Sequence, residues 1–299
     1  MGPVTSDMTN TTEVVVSEIG QWSIAVTDSP GVIDELHHIL RGWRLRRTDA
    51  SDSMGADVHI QRMKGGFSWE SKRLPKPKQW DEIPPETIMN VVSDLHDVIF
   101  DWYLLANPAI PCLHAGAVSI GDDLFCFPSV RTSGKSSLCM ELVAAGHQFY
   151  CDDVLPVQPE TLEGLAMGVA PMVRLPFPKQ HSDRLRDFVA IRRGLTGPDW
   201  SYMRLLDGEI APFGKRAKIR HLVLLDRGPR RKARLTEISA AEMLKELILQ
   251  NFGGRSDPGV VLETLHALVR NASCLKLVYA EARDARQLLE GLGGSRSAR

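Results

Sequence analysis

The fold of this chain is decided by the stretch Leu124-Phe-Cys-Phe-Pro-Ser-Val-Arg-Thr-Ser-Gly-Lys-Ser-Ser137. It opens with four apolar residues beside a Gly-Asp-Asp turn, which predicts a short buried strand. The residues from Lys135 onward predict an amphipathic helix over 135–145, and Gly146 ends it. Between strand and helix lies a loop that closes on Ser-Gly-Lys-Ser. Strand, tight loop and helix in this order indicate a phosphate-binding loop.

The chemistry of such a loop comes from its backbone and from the helix that follows. Inward-pointing N–H groups and the positive end of the helix hold the anion, a lysine reaches the β- and γ-phosphates, and the next hydroxyl binds Mg²⁺. Ser136 is therefore the predicted metal residue of this loop. The predicted nucleotide-binding residues are Ser129, Val130, Arg131, Thr132, Ser133, Gly134, Lys135, Ser136 and Ser137.

The loop departs from the Walker A pattern G-x-x-x-x-G-K-[ST] at one position. Ser129 stands where the first glycine belongs, and its Cβ could strain the turn or push the phosphates outward. The alternative is a surface turn that caps a helix and leaves Lys135 in solvent. The strand and helix on either side of the loop favour phosphate binding.

Two adjacent carboxylates form the second chemical feature. Asp152 and Asp153 follow the strand predicted over 148–151, and Asp152 stands 16 residues after Ser136. In nucleotide-binding α/β sheets the loop after such a strand lies beside the phosphate loop. A carboxylate there can bind Mg²⁺ or take a proton from an attacking hydroxyl. Because side chains alternate along a strand, one acid is predicted to serve chemistry and the other metal or structure. An ordinary Asp-Asp turn is the alternative.

Hydrophobic periodicity divides the rest of the chain. Residues 1–12 are a polar lead-in and residues 293–299 a tail, and both are predicted to be disordered. Residues 13–80 predict a small α+β region, joined by a proline-rich connector to an α/β domain over 84–292. Predicted strands cover 14–19, 22–27, 58–63, 66–72, 112–120, 124–127, 148–151, 219–225 and 274–280. One predicted helix starts near residue 29 and runs through Ile39, and a second runs from about 85 to about 106. Three more predicted helices cover 240–251, 258–271 and 283–292.

Composition excludes several classes of protein. The chain has 299 residues, of which 43% are hydrophobic and 24% charged, and its net charge of -1 argues against non-specific nucleic-acid binding. We expect no membrane-spanning helix and no secretory signal. The cysteines, five in number, are scattered, and most of them are predicted to be buried core residues in a reducing compartment. Together these observations predict a cytoplasmic protein.

The sequence resembles the catalytic domain of HPr kinase/phosphorylase and its relatives. The resemblance covers about 45 residues and includes Leu113-His-Ala-Gly-Ala-Val118, the loop over 124–136, Glu141-Leu-Val-Ala-Ala-Gly-His147 and Asp152-Asp-Val-Leu-Pro-Val157. In this family a strand that opens with histidine leads through a hairpin into a phosphate loop. A helix and an Asp-Asp pair then follow, in the same order and spacing.

This resemblance implies a fold, an activity and a set of residues. The fold would be a P-loop-containing catalytic domain akin to the phosphoenolpyruvate carboxykinases, and the activity would be transfer of phosphate from ATP, with Mg²⁺, to a serine of a small protein. Lys135 and Ser136 match the nucleotide and metal residues. Asp152 matches the catalytic base, Asp153 its metal-side neighbour, and His114 a histidine near the transferred phosphate. A strand histidine held by a backbone carbonyl is the alternative for His114.

The chain also differs from the family pattern. The family's loop is richer in glycine where this chain has Ser129, Arg131 and Thr132, and the family's Glu-x-Arg-Gly pattern is missing after the Asp-Asp strand. Arg174 is the nearby candidate for a phosphate-facing cation, with an exposed strand residue as the alternative. A basic cluster flanks the strand predicted over 219–225: Lys215, Arg216 and Lys218 precede it, and Arg227, Arg230, Arg231 and Arg234 follow it. Lys215 and Arg216 are taken as further candidates for phosphate or substrate contacts, and the alternative for the cluster is a solvated rim.

These differences predict a divergent relative whose acceptor need not be HPr. The first hypothesis is a kinase for a serine of a small protein or of a biosynthetic precursor peptide, with nucleotide and peptide as partners. A small-molecule kinase on the same scaffold is the second hypothesis. A catalytically degenerate nucleotide-binding regulatory module is the third. The sequence leaves open the acceptor, reversibility by phosphorolysis and the oligomeric state.

Overall fold

The structure of the chain is a computed structural model, and it describes residues 11–19, 21–48, 55–82, 85–128, 133–252 and 257–294. Contacts between residues group these segments into two compact units. The first unit contains the described residues up to 106 apart from 39–42. The second contains residues 39–42 and the described residues from 107 onward.

The first unit is built on a five-stranded sheet with the order β3-β1-β2-β4-β5. Its β2–β4 pair is parallel and its other pairs are antiparallel. Buried Val14 and Ala25 contribute to its core. Its elements are β1 (Thr12–Ser17), β2 (Trp22–Thr27), α1 (Gly31–Ile39), β3 (Leu45–Thr48), β4 (Val58–Met63), β5 (Gly66–Ser71), a 3-10 turn (Lys78–Asp81) and α2 (Ile88–Ala106).

Helix α2 belongs to this first unit by its contacts. The rings of Tyr103 and Trp43 lie 6.0 Å apart, and the Asp94 carboxylate accepts hydrogen bonds from the Gln79 amide and the Trp80 indole. The sequence placed this helix in the domain over 84–292 instead. Its apolar stripe indicates that one face is buried, but periodicity does not specify which core covers that face.

The second unit contains the stretch quoted at the outset. Its strands are β6 (Cys112–Leu113), β7 (Ala115–Ile120), β8 (Asp123–Pro128), β9 (Gln148–Cys151), β10 (Leu155–Pro156), β11 (Glu163–Leu165), β12 (Met172–Arg174), β13 (Arg193–Thr196), β14 (Trp200–Met203), β15 (Arg216–Arg227), β16 (Arg234–Glu237) and β17 (Ser273–Tyr279). Its helices are α3 (Lys135–Ala144), α4 (Asp183–Ile191), α5 (Ala240–Gln250), α6 (Pro258–Asn271) and α7 (Ala282–Gly294).

The main sheet of this unit has the order β16-β17-β15-β8-β7-β9, with β11 added beside β15. Strands β8, β15 and β17 are parallel, while β7 is antiparallel to both β8 and β9. Strand β9 therefore runs in the same direction as β8. The carboxyl ends of β8, β9, β15 and β17 consequently meet at one edge of the sheet.

Apolar side chains cover both faces of this sheet because they alternate along each strand. Phe125 and Phe127 of β8 pack in one core with residues of α3, α4 and α7. Leu124 and Cys126 point to the other face and pack with residues of α5 and α6. The strands are thus buried between two helical layers, which explains the continuous apolar runs in their sequence.

Most of the predicted elements are confirmed, and the differences have physical causes. The strand predicted over 112–120 is broken at His114, whose N–H donates to the Gln250 carbonyl oxygen at 2.7 Å. The short strands β3, β10 to β14 and β16 were not predicted, since two to four residues are too few to show a period, and helix α4 was not predicted either. Strand β1 already includes Thr12, and the tail prediction over 293–299 falls largely outside the described residues, although α7 continues to Gly294.

Two further sequence expectations can be compared with the structure. Four cysteines are buried as predicted, and Cys274 is half-buried. In the described part of the chain, none of the helices combines the length and the apolar character needed to cross a bilayer.

Candidate functional site

The candidate site lies at the sheet edge where the carboxyl ends of the parallel strands meet. Strand β8 leads into the loop before α3, and β9 ends directly before Asp152. At the same edge β15 ends on Arg227 and β17 on Tyr279, and His114 precedes β7. Crevices at this edge of α/β sheets are the usual place for ligands. The tertiary fold therefore brings together side chains from five separate segments of the chain.

The described part of the predicted loop ends in a tight turn onto α3. Gly134 caps the helix with a φ of 98°, a left-handed conformation that favours glycine. A methyl group on Gly134 would lie 2.7 Å from the Tyr279 hydroxyl oxygen and 3.1 Å from Arg227 Cδ. No side chain caps this helix end, and the buried Ser133 Oγ has no hydrogen-bond partner among the described residues. Residues 129–132, with the predicted contacts Ser129, Val130, Arg131 and Thr132, lie outside the described residues.

Helix α3 is held close to the sheet by a second glycine. A methyl group on Gly116 of β7 would lie 2.8 Å from Cys139 Sγ and 3.6 Å from Lys135 Cβ. The missing side chain thus lets the first turns of α3 pack onto the strand. Lys135 is only 6% exposed as a result, whereas Ser136 is exposed and Ser137 half-buried. Burial of Lys135 argues against the alternative of a solvated lysine.

Asp152 lies beside the start of α3. The pKa of Asp152 is raised to about 7, chiefly by burial and then by the neighbouring Asp153 carboxylate, against the smaller lowering effects of a hydrogen bond from Ser136 and the charge of Lys135. Asp152 Oδ1 is buried and has no hydrogen-bond partner among the described residues. A carboxylate that titrates near neutral pH and has a vacant acceptor atom is suited to accept a proton.

His114 and Asp153 form the outer part of the same edge. His114 Nε2 lies 3.9 Å from Asp153 Oδ1, and the Asp153 side chain is 73% exposed. The Ala115 N–H donates to the Asp153 carbonyl oxygen at 3.2 Å, which joins the two segments through their backbones. The two acids therefore face different surroundings, Asp152 enclosed beside α3 and Asp153 in solvent, although both lie beyond the end of β9, where strand alternation no longer applies.

The raised pKa of Asp152 makes a prediction about stability. The unfolded carboxyl ionises near 3.8 and the folded one near 7, so its contribution to stability is present at low pH and is lost as the pH rises through 7. Above pH 7 we expect the free energy of unfolding of Asp152→Asn to be about 2 kcal/mol larger than that of the native protein. This value takes about 1.4 kcal/mol per pKa unit and is reduced because the residue is partly exposed. The advantage should shrink towards pH 4.

The measurement is urea unfolding at pH 4.5 and pH 8 for the two proteins. Asp122→Asn is the matched control, because Asp122 is an exposed carboxylate in the turn between β7 and β8 at the opposite edge. Its difference from the native protein at the two pH values is the baseline for the comparison. An Asp152→Asn difference that changes with pH no more than this baseline would contradict the buried carboxyl.

Three other predicted contacts lie elsewhere. Lys215 and Arg216 are exposed at the beginning of β15, and because β15 is parallel to β8 they lie at the edge opposite Gly134. Lys215 donates a hydrogen bond to Gln148. Arg174 is an exposed strand residue whose guanidinium lies 4.8 Å from the centre of the Trp200 ring, as the alternative for it predicted. We therefore leave these three residues out of the candidate site.

One residue of this edge, Tyr279, was missed by sequence reasoning, whereas Arg227 belongs to the basic cluster that the sequence offered for phosphate contacts. Arg227 and Tyr279 end β15 and β17, and both contact the turn at Gly134. Tyr279 is 1% exposed, and its hydroxyl donates to the Ser133 carbonyl oxygen at 3.5 Å. Burial raises the pKa of Tyr279, so the hydroxyl remains protonated as a donor. The signal for Arg227 was present: it stands at the carboxyl end of an apolar strand, where the edge rule places functional residues.

The residues present fit a magnesium ion bound together with phosphates. Mg²⁺ usually takes one or two carboxylates, with the remaining ligands supplied by substrate phosphates and water. The Ser136 hydroxyl and the exposed Asp153 carboxylate lie on either side of Asp152, whose carboxylate accepts a hydrogen bond from Ser136. Ser136 and Asp153 therefore offer one hydroxyl and one carboxylate oxygen to the ion. These are the hard oxygen ligands that such an ion requires.

Fold and site together define a mixed α/β protein with a candidate phosphate-binding edge. No protein-family model matches the chain, and no curated protein matches it. One solved structure to which it is similar is the HPr(Ser) kinase/phosphatase from Coxiella burnetii, at 15% sequence identity. That match covers 60% of this chain and 92% of the other, with a TM-score of 0.28. Because a TM-score this low carries no weight for function, the candidate site is assigned from its own geometry.

Proposed function

We propose that this protein is an ATP-dependent kinase that phosphorylates a serine hydroxyl on a small protein or precursor peptide. One observation carries the proposal: a carboxylate whose pKa is raised to about 7 contacts the start of a helix that begins with a buried lysine. A proton acceptor is thereby placed next to an anion-binding helix end. The family resemblance of the motifs from His114 to Asp153 supports the choice of serine as acceptor.

Each residue has a role in the proposed transfer. Lys135 and the first N–H groups of α3 bind the ATP phosphates and stabilise the charge on the transferred group. Asp152 takes the proton of the serine hydroxyl while the serine oxygen forms a bond to the γ-phosphorus. The bond from that phosphorus to the bridging oxygen breaks, and ADP leaves. Ser136 and Asp153 would hold Mg²⁺, which supplies positive charge to the phosphate oxygens when it is bound.

The test is incubation with γ-labelled ATP, Mg²⁺ and the peptides encoded by genes adjacent to that of the protein. We expect the label on a peptide serine, with no label when this serine is replaced by alanine. Label on a metabolite alone would indicate the small-molecule kinase. Nucleotide binding without transfer to any acceptor would indicate the regulatory module, which the serine at position 129 of the loop favours.

A further inference from the structure

Arg227 lies against the turn that begins α3, although it is far from that turn in sequence. A methyl group on Gly134 would be 3.1 Å from Arg227 Cδ and 3.8 Å from Arg227 Nη1. Strand β15, which ends on Arg227, pairs in parallel with β8, which leads into the loop. The strand order thus positions the Arg227 guanidinium at the amino end of α3, where no described side chain caps the N–H groups.

The guanidinium of Arg227 is oriented by a hydrogen bond, and within the described segments it has no ion pair. Arg227 Nε donates to the Ala280 carbonyl oxygen at 3.3 Å, which fixes the direction of the side chain. Among the described residues, no carboxylate oxygen lies within ion-pair distance of Arg227, whereas neighbouring Arg231 pairs with Asp226. The side chain is also exposed. A positioned cation without a counter-ion, beside a helix amino terminus, is suited to an anionic ligand.

Other polar groups at the same turn are also suited to bind an anion. Lys135 is buried next to this turn, and Ser133 Oγ is buried with no hydrogen-bond partner in the described part of the chain. Tyr279 holds the Ser133 carbonyl from the side of β17. An oxyanion at this place would contact Ser133 and Lys135 at the start of α3 and Arg227 at the end of β15.

We propose that Arg227 is a substrate-binding residue whose guanidinium contacts the terminal phosphate of the nucleotide, opposite Lys135. The inference rests on the proposed kinase function and adds a residue to it. A planar guanidinium can donate two parallel hydrogen bonds to a phosphate, and an ammonium cannot. The charge that develops on the equatorial oxygens during transfer would be shared between Arg227 and Lys135.

The test compares Arg227→Met and Arg227→Lys with the native protein in calorimetric titrations. The probes are ADP and an ATP analogue with an imido group between the β- and γ-phosphates, each with Mg²⁺. We expect Arg227→Met to weaken binding of the analogue about 10- to 100-fold, as for loss of a hydrogen bond to a charged group. ADP binding should change by less than about threefold, because ADP lacks the contacted phosphate. Arg227→Lys should recover part of the affinity.

Lys218→Met is the matched control, because Lys218 is an exposed cation on the same strand near the opposite edge. It should bind both nucleotides like the native protein. The role of Arg227 is wrong, while the kinase proposal stands, in either of two cases. In the first, Arg227→Met binds the analogue as tightly as the native protein does. In the second, the affinity for ADP falls by the same factor as the affinity for the analogue. If the native protein binds neither nucleotide, the kinase proposal fails, and the role of Arg227 fails with it.

Discussion

Asp152→Asn is expected to lower the rate of phosphoryl transfer by about 10²- to 10⁴-fold, which is the usual contribution of a general base. The amide keeps the shape of the carboxyl but cannot accept the serine proton. Nucleotide affinity should change much less, because the proposed function assigns phosphate binding to Lys135 and the helix end. The measurement is the initial rate of label transfer at saturating ATP, together with the affinity for the ATP analogue.

The pH dependence of the rate identifies the role of Asp152 more sharply. A base must be ionised to act, so the native rate should rise with pH and level off above about 7, where burial sets the pKa of Asp152. The residual rate of Asp152→Asn should lack this rise. Asp122→Asn, with the same chemical change at the opposite edge, should keep the native profile. A native rate that is independent of pH between 5 and 9 would contradict Asp152 as the base.

Gly134→Ala is expected to abolish measurable nucleotide binding and to destabilise the protein. At a φ of 98° an alanine costs about 1–2 kcal/mol, and its methyl group would overlap the Tyr279 hydroxyl. Either the turn or Tyr279 must move, and the first N–H groups of α3 then no longer point towards the proposed phosphate position. Thermal unfolding measures the first effect, and titration with the ATP analogue measures the second.

Gly146→Ala separates backbone strain from the effect at the site. Gly146 has a φ of 99°, almost the same as Gly134, but nothing lies within 4 Å of the added methyl group. Both variants should lose similar stability from strain, and only Gly134→Ala should lose nucleotide binding. Adding Tyr279→Phe to Gly134→Ala should restore part of the binding, since it removes the overlapping oxygen. Equal binding by both alanine variants would show that the turn at Gly134 does not hold the phosphates.

Local sequence was sufficient for the parts of the site that are built from neighbouring residues. The strand before the loop, the helix that starts at Lys135 and the acid pair after β9 were all predicted from patterns within about 30 residues. The continuous apolar run along β8 also predicted a buried strand. These features depend on backbone propensity and side-chain period, which act over a few residues.

Only the tertiary structure decided which distant residues join them. Strand order and direction place Arg227 and Tyr279 against Gly134 and leave Lys215 and Arg216 at the other edge, although all four residues flank apolar strands. In the same way α2 packs with the first unit, which its apolar stripe did not specify. Periodicity determines that a face is buried, whereas the partner of that face depends on contacts between segments that are far apart in the chain.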